Sequence, residues 1–270
     1  MFSRAKSAGH DKDGYRWSSS ARLNQIKKWG ALVVILLLTV LLRTLRLDLF
    51  YTRDELVIWR WSDEFFTALW HGNLASSITG DDYPGITIFW LQSLLTVLKY
   101  GFIWLSSGRV PVIDTIVEVP RSLAYLAERR LVMGLATSAQ VWAVYGLATR
   151  AFDRRVAWLA TFLVALDPFF LAESRVLRAE ALAAGFMVLC LLSWLVYLRE
   201  DRGRYLVLSG ILAGWAILTK VSSGLLVPII GLLLLFDVLL GRSGTWWTRL
   251  KLDVRRGISW GGLAVASFWS

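Results

Sequence analysis

Two acidic side chains directly follow the first long apolar segment, and they are the strongest candidates for chemistry in the sequence. Asp54 and Glu55 stand a few residues beyond the segment that runs from Trp29 to about Leu47. Charge so close to membrane hydrocarbon is tolerated where it faces a wet, polar cavity. A carboxylate in such a place can act as a general base. The alternative is an interfacial charge cluster that only fixes the end of a helix.

A second acidic pair lies at the end of the same polar stretch. Asp81 and Asp82 precede Tyr83-Pro84-Gly85, a turn sequence that leads into an apolar helix. Two adjacent carboxylates can bind a cation or a sugar hydroxyl. They can equally favour the N-terminus of the following helix through its dipole.

Two short turns between later apolar segments carry the remaining candidates. The first contains Glu173, Arg175, Arg178 and Glu180, and the second contains Lys220. Arginines can bind a phosphate group bidentately, and a lysine can reach a lipid phosphate as a point charge. The alternative is a structural network of ion pairs, with the lysine side chain extended only to the lipid headgroups.

The composition indicates that a membrane protein holds these residues in place. Of the 270 residues, 56% are hydrophobic, and the mean hydropathy is +0.53, which is too apolar for a soluble domain. The net charge of +10 is typical of basic cytoplasmic loops, and no nucleic-acid-binding motif accompanies it. The single cysteine, Cys190, excludes an intrachain disulfide and argues against a thiol or Cys-ligated metal site.

We therefore predict an all-helical, multi-pass membrane protein, because lipid offers no partners to open backbone groups. A basic cytoplasmic tail covers 1–28 and a transmembrane domain covers 29–270, whose last span is expected to be incomplete. A kink is expected at Asp167-Pro168. The predicted spans are 29–47, 131–149, 156–172, 181–198, 205–218, 225–240 and an apolar run that begins near residue 258.

Residues 86–105 are apolar and nearly long enough to cross as well. A full crossing would move the basic loops 150–155, 199–204 and 241–256 to the outside, against the positive-inside rule. A juxtamembrane helix on the outer surface leaves all three loops in the cytoplasm, and we adopt this interpretation. The first extracytoplasmic loop then covers 48–128 and holds ten of the twenty acidic residues, with only five basic ones.

Taken in order, these features resemble the amino-terminal part of a GT-C membrane glycosyltransferase. The nearest groups are the protein O-mannosyltransferases and the lipid A aminoarabinose transferase-like enzymes, glycosyltransferase families 39 and 83. The matching stretches are Phe50-Tyr-Thr-Arg-Asp-Glu55, His71-Gly72, Asp82-Tyr83-Pro84, Arg129-Arg130-Leu131, the basic turn 150–155, Pro168 with Glu173-Ser-Arg175 and Glu180, and Leu212-Ala-Gly-Trp-Ala-Ile-Leu-Thr-Lys220.

The resemblance assigns roles to several of the candidates. It implies a GT-C transmembrane helix bundle whose large first outer loop contains juxtamembrane helices. Asp54 matches the essential acidic residue of that loop, and Glu55 matches the second residue of the Asp-Glu pair in the mannosyltransferase branch. Asp82 falls where related enzymes place an acidic or polar residue before the proline. Arg175 and Glu180 fall on a second-loop arginine and acid.

Two positions depart from the family pattern. The second-loop acid is usually Asp and is Glu180 here. The familiar Pro-Pro is Pro84-Gly85 in this sequence. His71, the only histidine outside the tail, is interpreted as a surface or capping residue.

The function implied by the resemblance is transfer of a sugar from a polyprenyl-phosphate donor to a protein, lipid or glycan acceptor. Asp54 would deprotonate the acceptor for a single inverting displacement on the outer face of the plasma (inner) membrane. The basic candidates would stabilise the phosphate leaving group, and the other acids would bind the acceptor or a cation. These basic residues are Arg175, Arg178 and Lys220, and these acids are Asp81, Asp82 and Glu180.

Cofactor use and catalysis itself stay open at this point. Some members of the family bind a divalent cation and others need none. The competing function is that of a non-catalytic membrane protein, such as a lipid-linked sugar transporter or a scaffold, or of a fragment that is inactive alone. A transporter should place charges at mid-membrane in broken helices. The candidate charges gather at one face instead, which favours an enzyme.

Overall fold

The computed structural model describes residues 19–77, 85–117, 121–240 and 246–269. These residues form helices joined by turns, and no strand occurs among them, which confirms the all-helical prediction. The helices are, in chain order, α1 (Ser19–Thr44), α2 (Arg53–Trp70), α3 (Ile86–Ser107), α4 (Asp114–Val117), α5 (Leu123–Ala151), α6 (Arg154–Leu166), α7 (Pro168–Ser174), α8 (Glu180–Glu200), α9 (Gly203–Thr219), α10 (Leu226–Leu240) and α11 (Trp246–Trp269).

Each predicted span corresponds to a helix or to a helix pair. Four helical stretches in the described ranges are long and apolar enough to cross a membrane, and the pair α6–α7 makes a fifth. That pair bends by 59° at Asp167-Pro168, where the kink was predicted. Asp167 caps α7 by accepting a hydrogen bond from Phe170 N at 2.6 Å. The chain is therefore an integral membrane protein by the length and composition of its helices.

Two helices begin well before the spans that they contain. Helix α1 begins at Ser19, so the end of the predicted tail is helical, while 1–18 lie outside the described residues. Helix α11 begins at Trp246, so most of the predicted loop 241–256 is helical, and 241–245 are not described.

The charges within α11 find partners, which explains why the helix continues through them. Arg256 donates to Asp253 at 2.8 Å, to Asp237 of α10 at 3.2 Å, and to the Tyr197 hydroxyl of α8 at 3.1 Å. Because this network joins three helices, the basic stretch packs as a helix rather than as an open loop.

The bundle core lies where α5, α8, α9, α10 and α11 meet. Trp194 and Cys190 are completely buried there. Glycines allow α9 and α11 to approach closely, since a Cβ atom on Gly214 would lie 2.6 Å from the Ala264 carbonyl oxygen. A second apolar cluster, with Phe89 and Leu177 at its centre, joins α2, α3 and α5 to the turn between α7 and α8.

Helix α3 packs along α2, where Phe65 contacts Phe89 and Trp70 contacts Tyr100, and it crosses the ends of two other helices. Thr87 hydrogen-bonds Thr219, the last residue of α9, at 2.6 Å. Lys99, about 18 Å further along α3, pairs with Glu128 in the second turn of α5 at 2.6 Å. By length and composition α3 is also able to span a membrane. The crossing geometry is the one expected of a surface helix, and the surface position stays a prediction.

Candidate active site

The candidate residues that the structure describes gather at one end of the bundle, where α1, α6 and α9 end and where α5 and α8 begin. We call this region the site end. Helix α2 starts there, because the backbone of Thr52 is extended and the Glu55 carboxylate caps the first turn. Glu55 Oε2 accepts hydrogen bonds from the Thr52 N–H at 3.0 Å and from its hydroxyl at 2.8 Å.

A completely buried ion pair lies directly beneath the surface of the site end. Arg130 of α5 donates to Glu55 through Nε at 2.7 Å and through Nη2 at 2.5 Å. The same guanidinium donates to the carbonyl oxygens of Leu47 and Phe50 at 2.5 and 2.7 Å. The pair therefore ties the connection between α1 and α2 to α5.

Glu55 also fixes the turn between α7 and α8, because its Oε1 accepts the N–H of Leu177 at 2.8 Å. Burial raises the pKa of Glu55, but the hydrogen bonds from Arg130, Leu177 and Thr52 outweigh burial and leave that pKa below its usual value. Both oxygens are occupied and hidden from solvent. This environment suits a charge that holds structure better than a base that exchanges protons with a substrate.

Asp54 points away from the buried Glu55–Arg130 pair and is open to solvent. Its side chain is 56% exposed and forms an ion pair with Arg178. The Asp54 hydrogen bond raises the pKa of the Arg178 guanidinium. Glu173 Oε2 lies 4.0 Å from the same guanidinium. Residues 54 and 55 thus lie in register with 178 and 177, one pair exposed and the other buried.

A second ion pair continues the charged surface towards α9. Lys220 Nζ donates to Glu180 Oε1 at 2.8 Å, with both side chains about one-third exposed. Glu180 in turn interacts electrostatically with Arg178. The first turn of α3 lies beside this pair, since Thr87 contacts Thr219, the residue before Lys220. The predicted sites Asp81 and Asp82 lie outside the described residues.

Arg175 has different partners from the other candidate cations. Its Nη2 donates to Leu45 O at 2.5 Å and to Arg46 O at 3.4 Å, which are carbonyls just past the end of α1. The structure therefore brings Asp54, Arg178, Glu180 and Lys220 onto one charged surface. It places Arg175 at the edge of that surface, against backbone.

The described residues do not form a metal site in this arrangement. No group of three or more His, Cys, Asp or Glu side chains in the described ranges is arranged to hold a metal ion. The carboxylates of Asp54 and Glu173 instead flank the guanidinium of Arg178. A cation of the protein itself therefore lies between these two carboxylates.

An open cavity of about 890 Å³ lies on the opposite face of α2. It is lined by polar residues such as Asp63, Glu64 and Arg121. Asp63 pairs with Arg129 of α5, and burial raises the pKa of Asp63. His71 ends α2 as an exposed capping residue, as predicted. Asp63 points away from Asp54 around α2, and sequence reasoning gave it no role.

Sequence reasoning also gave no specific role to Arg130. It stands in the stretch Arg129-Arg130-Leu131, which contributed to the family resemblance. Two adjacent arginines at the start of an apolar span are a signal that could have identified Arg130, because such charges need buried partners. Its partner, Glu55, is 75 residues away in sequence, so the pair itself is visible only in the folded chain.

Two comparisons with known proteins bear on the fold and the family of this chain. Residues 126–251 match the model of a family described as dolichyl-phosphate-mannose-protein mannosyltransferase. The chain is also similar to the crystal structure of the Archaeoglobus fulgidus oligosaccharyltransferase in the apo form, with a TM-score of 0.60 and 19% sequence identity. That likeness covers 90% of this chain and 29% of the other one. No curated protein matches the sequence.

At this identity the structural likeness establishes the fold alone. The chain shares the GT-C fold, and the expected resemblance to GT-C glycosyltransferases is confirmed by both comparisons. Because the chain spans less than a third of the oligosaccharyltransferase, activity, substrates and partners are not transferred from it.

Proposed function

We propose that the protein is a membrane glycosyltransferase that uses a polyprenyl-phosphate sugar as its donor. The observation that carries this proposal is the exposed Asp54 carboxylate, held against Arg178 at the site end of the bundle. A base and a phosphate-binding cation are then side by side, as transfer from a lipid phosphate requires. The family match over residues 126–251 supports a dolichyl-phosphate-type donor.

In the proposed reaction, Asp54 accepts a proton from an acceptor hydroxyl or amine. The acceptor heteroatom attacks the anomeric carbon of the donor, and the bond from that carbon to the phosphate oxygen breaks. The polyprenyl phosphate leaves with the bonding electrons, and the sugar is transferred with inversion. The reaction takes place on the extracytoplasmic side of the plasma (inner) membrane, with the N-terminus in the cytoplasm.

The cations of the charged surface bind the departing phosphate. Arg178 is one-third exposed and can share its guanidinium between Asp54 and a phosphate oxygen, since an arginine carries five N–H donors. Lys220 contributes a second positive charge from the end of α9. Arg175 remains a predicted donor ligand through the N–H groups that its carbonyl partners leave free. Glu180, together with Asp81 and Asp82, is the proposed contact for the acceptor.

Glu55 has a supporting role in this proposal. Because it is fully buried and hydrogen-bonded to Arg130, Thr52 and Leu177, it orients Asp54 and the Arg178 turn and does not touch the acceptor. Asp54 alone is then the general base.

The test is a transfer assay in native membranes that contain the protein produced from its complete gene. Radiolabelled polyprenyl-phosphate hexose or pentose is supplied in one arm, and the corresponding nucleotide sugar in the other. We expect label to leave the lipid pool only when the protein is present and the lipid-linked donor is supplied directly. Label that stays in the lipid pool for every sugar, while it crosses the membrane intact, would replace this proposal with a transporter.

A further inference from the structure

The broken span α6–α7 leaves carbonyl groups without helical partners at its bend. In a continuous helix, Val164 O would accept the N–H of residue 168, but Pro168 has none. Arg43, in the last turn of α1, supplies the missing donors. Its Nη1 lies 3.2 Å from Ala165 O, and its Nη2 lies 3.5 Å from Val164 O.

Arg43 is a completely buried cation, and its hydrogen-bond partners among the described residues are backbone carbonyl oxygens. Its guanidinium lies 5.4 Å from the centre of the Phe170 ring of α7. Burying an unpaired charge is costly, and the carbonyl end of a helix, with its partial negative charge, reduces that cost. The side chain therefore fits this position because α6 ends there.

The backbone that carries Arg43 is fixed as well. A Cβ atom on Gly134 of α5 would lie 2.7 Å from the Arg43 carbonyl oxygen. Because α1 and α5 touch through their backbones at this point, Arg43 has little freedom to follow α6 if the broken span moves.

Arg175 makes the reciprocal contact in the opposite direction. It follows α7 and donates to the carbonyls of Leu45 and Arg46, just beyond the end of α1. One arginine of α1 thus caps the end of α6, and one arginine past α7 caps the end of α1. The two segments that leave these contacts carry Asp54 and Arg178.

We propose that Arg43 and Arg175 form a reciprocal clamp, and that Arg43 is a positioning residue for the Asp54–Arg178 pair. The clamp fixes the connection from α1 to α2 against the turn from α7 to α8. Arg43 touches no substrate in this account. Its effect on turnover rests on the proposed function, whereas its effect on the distance between the two segments does not.

The first test measures that distance directly. Spin labels are attached to cysteines at Leu49, in the connection from α1 to α2, and at Ala172, in α7, both of which are exposed; the native Cys190 is buried. We expect Arg43→Ala to broaden the distance distribution and Arg43→Lys to broaden it less. The matched control, Arg155→Ala, removes an exposed arginine at the far end of α6 and should leave it unchanged. An unaltered distribution in Arg43→Ala would overturn the clamp.

The second test separates positioning from binding in the transfer assay. A displacement of about 1 Å between reacting groups can cost about 100-fold in rate, so we expect kcat of Arg43→Ala to fall by about that factor while the donor KM stays within about twofold. A rise in donor KM with unchanged kcat would contradict a positioning role. If Arg43→Ala does not accumulate, Arg43→Lys, which keeps the charge but loses the planar guanidinium, is measured in its place. If wild type transfers nothing, the proposed function fails and the distance test still decides the clamp.

Discussion

The backbone N–H of Leu177 donates to the buried carboxylate of Glu55 at 2.8 Å. One residue further along each segment, Asp54 pairs with Arg178 at the surface. The buried contact therefore sets the register of the exposed one. Most of what we propose for this protein follows from that arrangement, in which a structural acid and a chemical acid are neighbours in sequence and face opposite environments.

Removing the charge of Glu55 should damage the fold more than the chemistry. Glu55→Gln leaves Arg130 buried without a countercharge, which typically costs about 3–5 kcal/mol. We expect a lower unfolding temperature in detergent or nanodiscs. The control is Glu64→Gln, an exposed acid on the same helix. Equal stability of the Glu55→Gln variant and wild type would contradict a stabilising role for the buried Glu55–Arg130 pair.

The pH dependence of stability gives a second readout of Glu55. Its pKa is lowered in the folded protein, so its contribution to stability is fully present above the unfolded value of about 4.3 and is lost as the pH falls through the lower folded value. Wild type should therefore lose stability in that acidic range, and Glu55→Gln should show a smaller loss. If stability depends on pH in the same way in both proteins, Glu55 is not the group responsible.

Arg178 should matter for the donor. Arg178→Ala removes a cation that faces the proposed phosphate site, and loss of one such donor typically costs about 100-fold in rate. We expect a fall in kcat/KM of that order, measured with a polyprenyl-phosphate sugar. Arg109→Ala, which removes an exposed arginine between α3 and α4, is the control. An unchanged kcat/KM would exclude a role for Arg178 in transfer.

The contact between α1 and α5 depends on a glycine. A Cβ atom at position 134 would lie 2.7 Å from a carbonyl oxygen of Arg43, so Gly134→Ala should destabilise the protein by about 1–3 kcal/mol. Gly146 is in the same helix and has nothing within 4 Å of an added Cβ atom. Gly146→Ala should be neutral or stabilising. Thermal unfolding of both variants checks this, and equal effects would contradict the close approach.

The position of α3 can be decided by labelling from one side of the membrane. Ser76 and Ser106 are exposed residues before and near the end of α3. If α3 lies along the outer surface, single cysteines at both positions react with an impermeant reagent added outside. If α3 crosses, only one of them reacts from that side.

The amino-acid sequence was enough to predict the helical spans, the break in one of them and several of the candidate site residues. The helical spans follow from hydrophobic length, and the break at Asp167-Pro168 follows from the missing N–H of proline. Asp54, Arg178 and Lys220 could be named individually because charges beside apolar spans need a wet environment or a partner.

Their partners could not be predicted in the same way. Arg130 and Glu55 are far apart in sequence, and only the packing of α2 against α5 makes them a pair. Arg175 was predicted as a phosphate ligand, but its observed partners are backbone carbonyls, which no sequence pattern distinguishes. The start of α11 was missed because Asp237 and Tyr197, the partners of Arg256, lie on other helices.

The most direct test of the central claim is single-turnover transfer from a radiolabelled polyprenyl-phosphate sugar, with wild type compared with Asp54→Asn in membranes at matched protein levels. Asp48→Asn, an exposed acid before α2, is the matched control. The account predicts that Asp54→Asn inserts normally and transfers on the order of 100-fold or more slowly, while Asp48→Asn behaves like wild type. Normal transfer by Asp54→Asn would contradict the account and leave the Asp54–Arg178 pair as a structural ion pair.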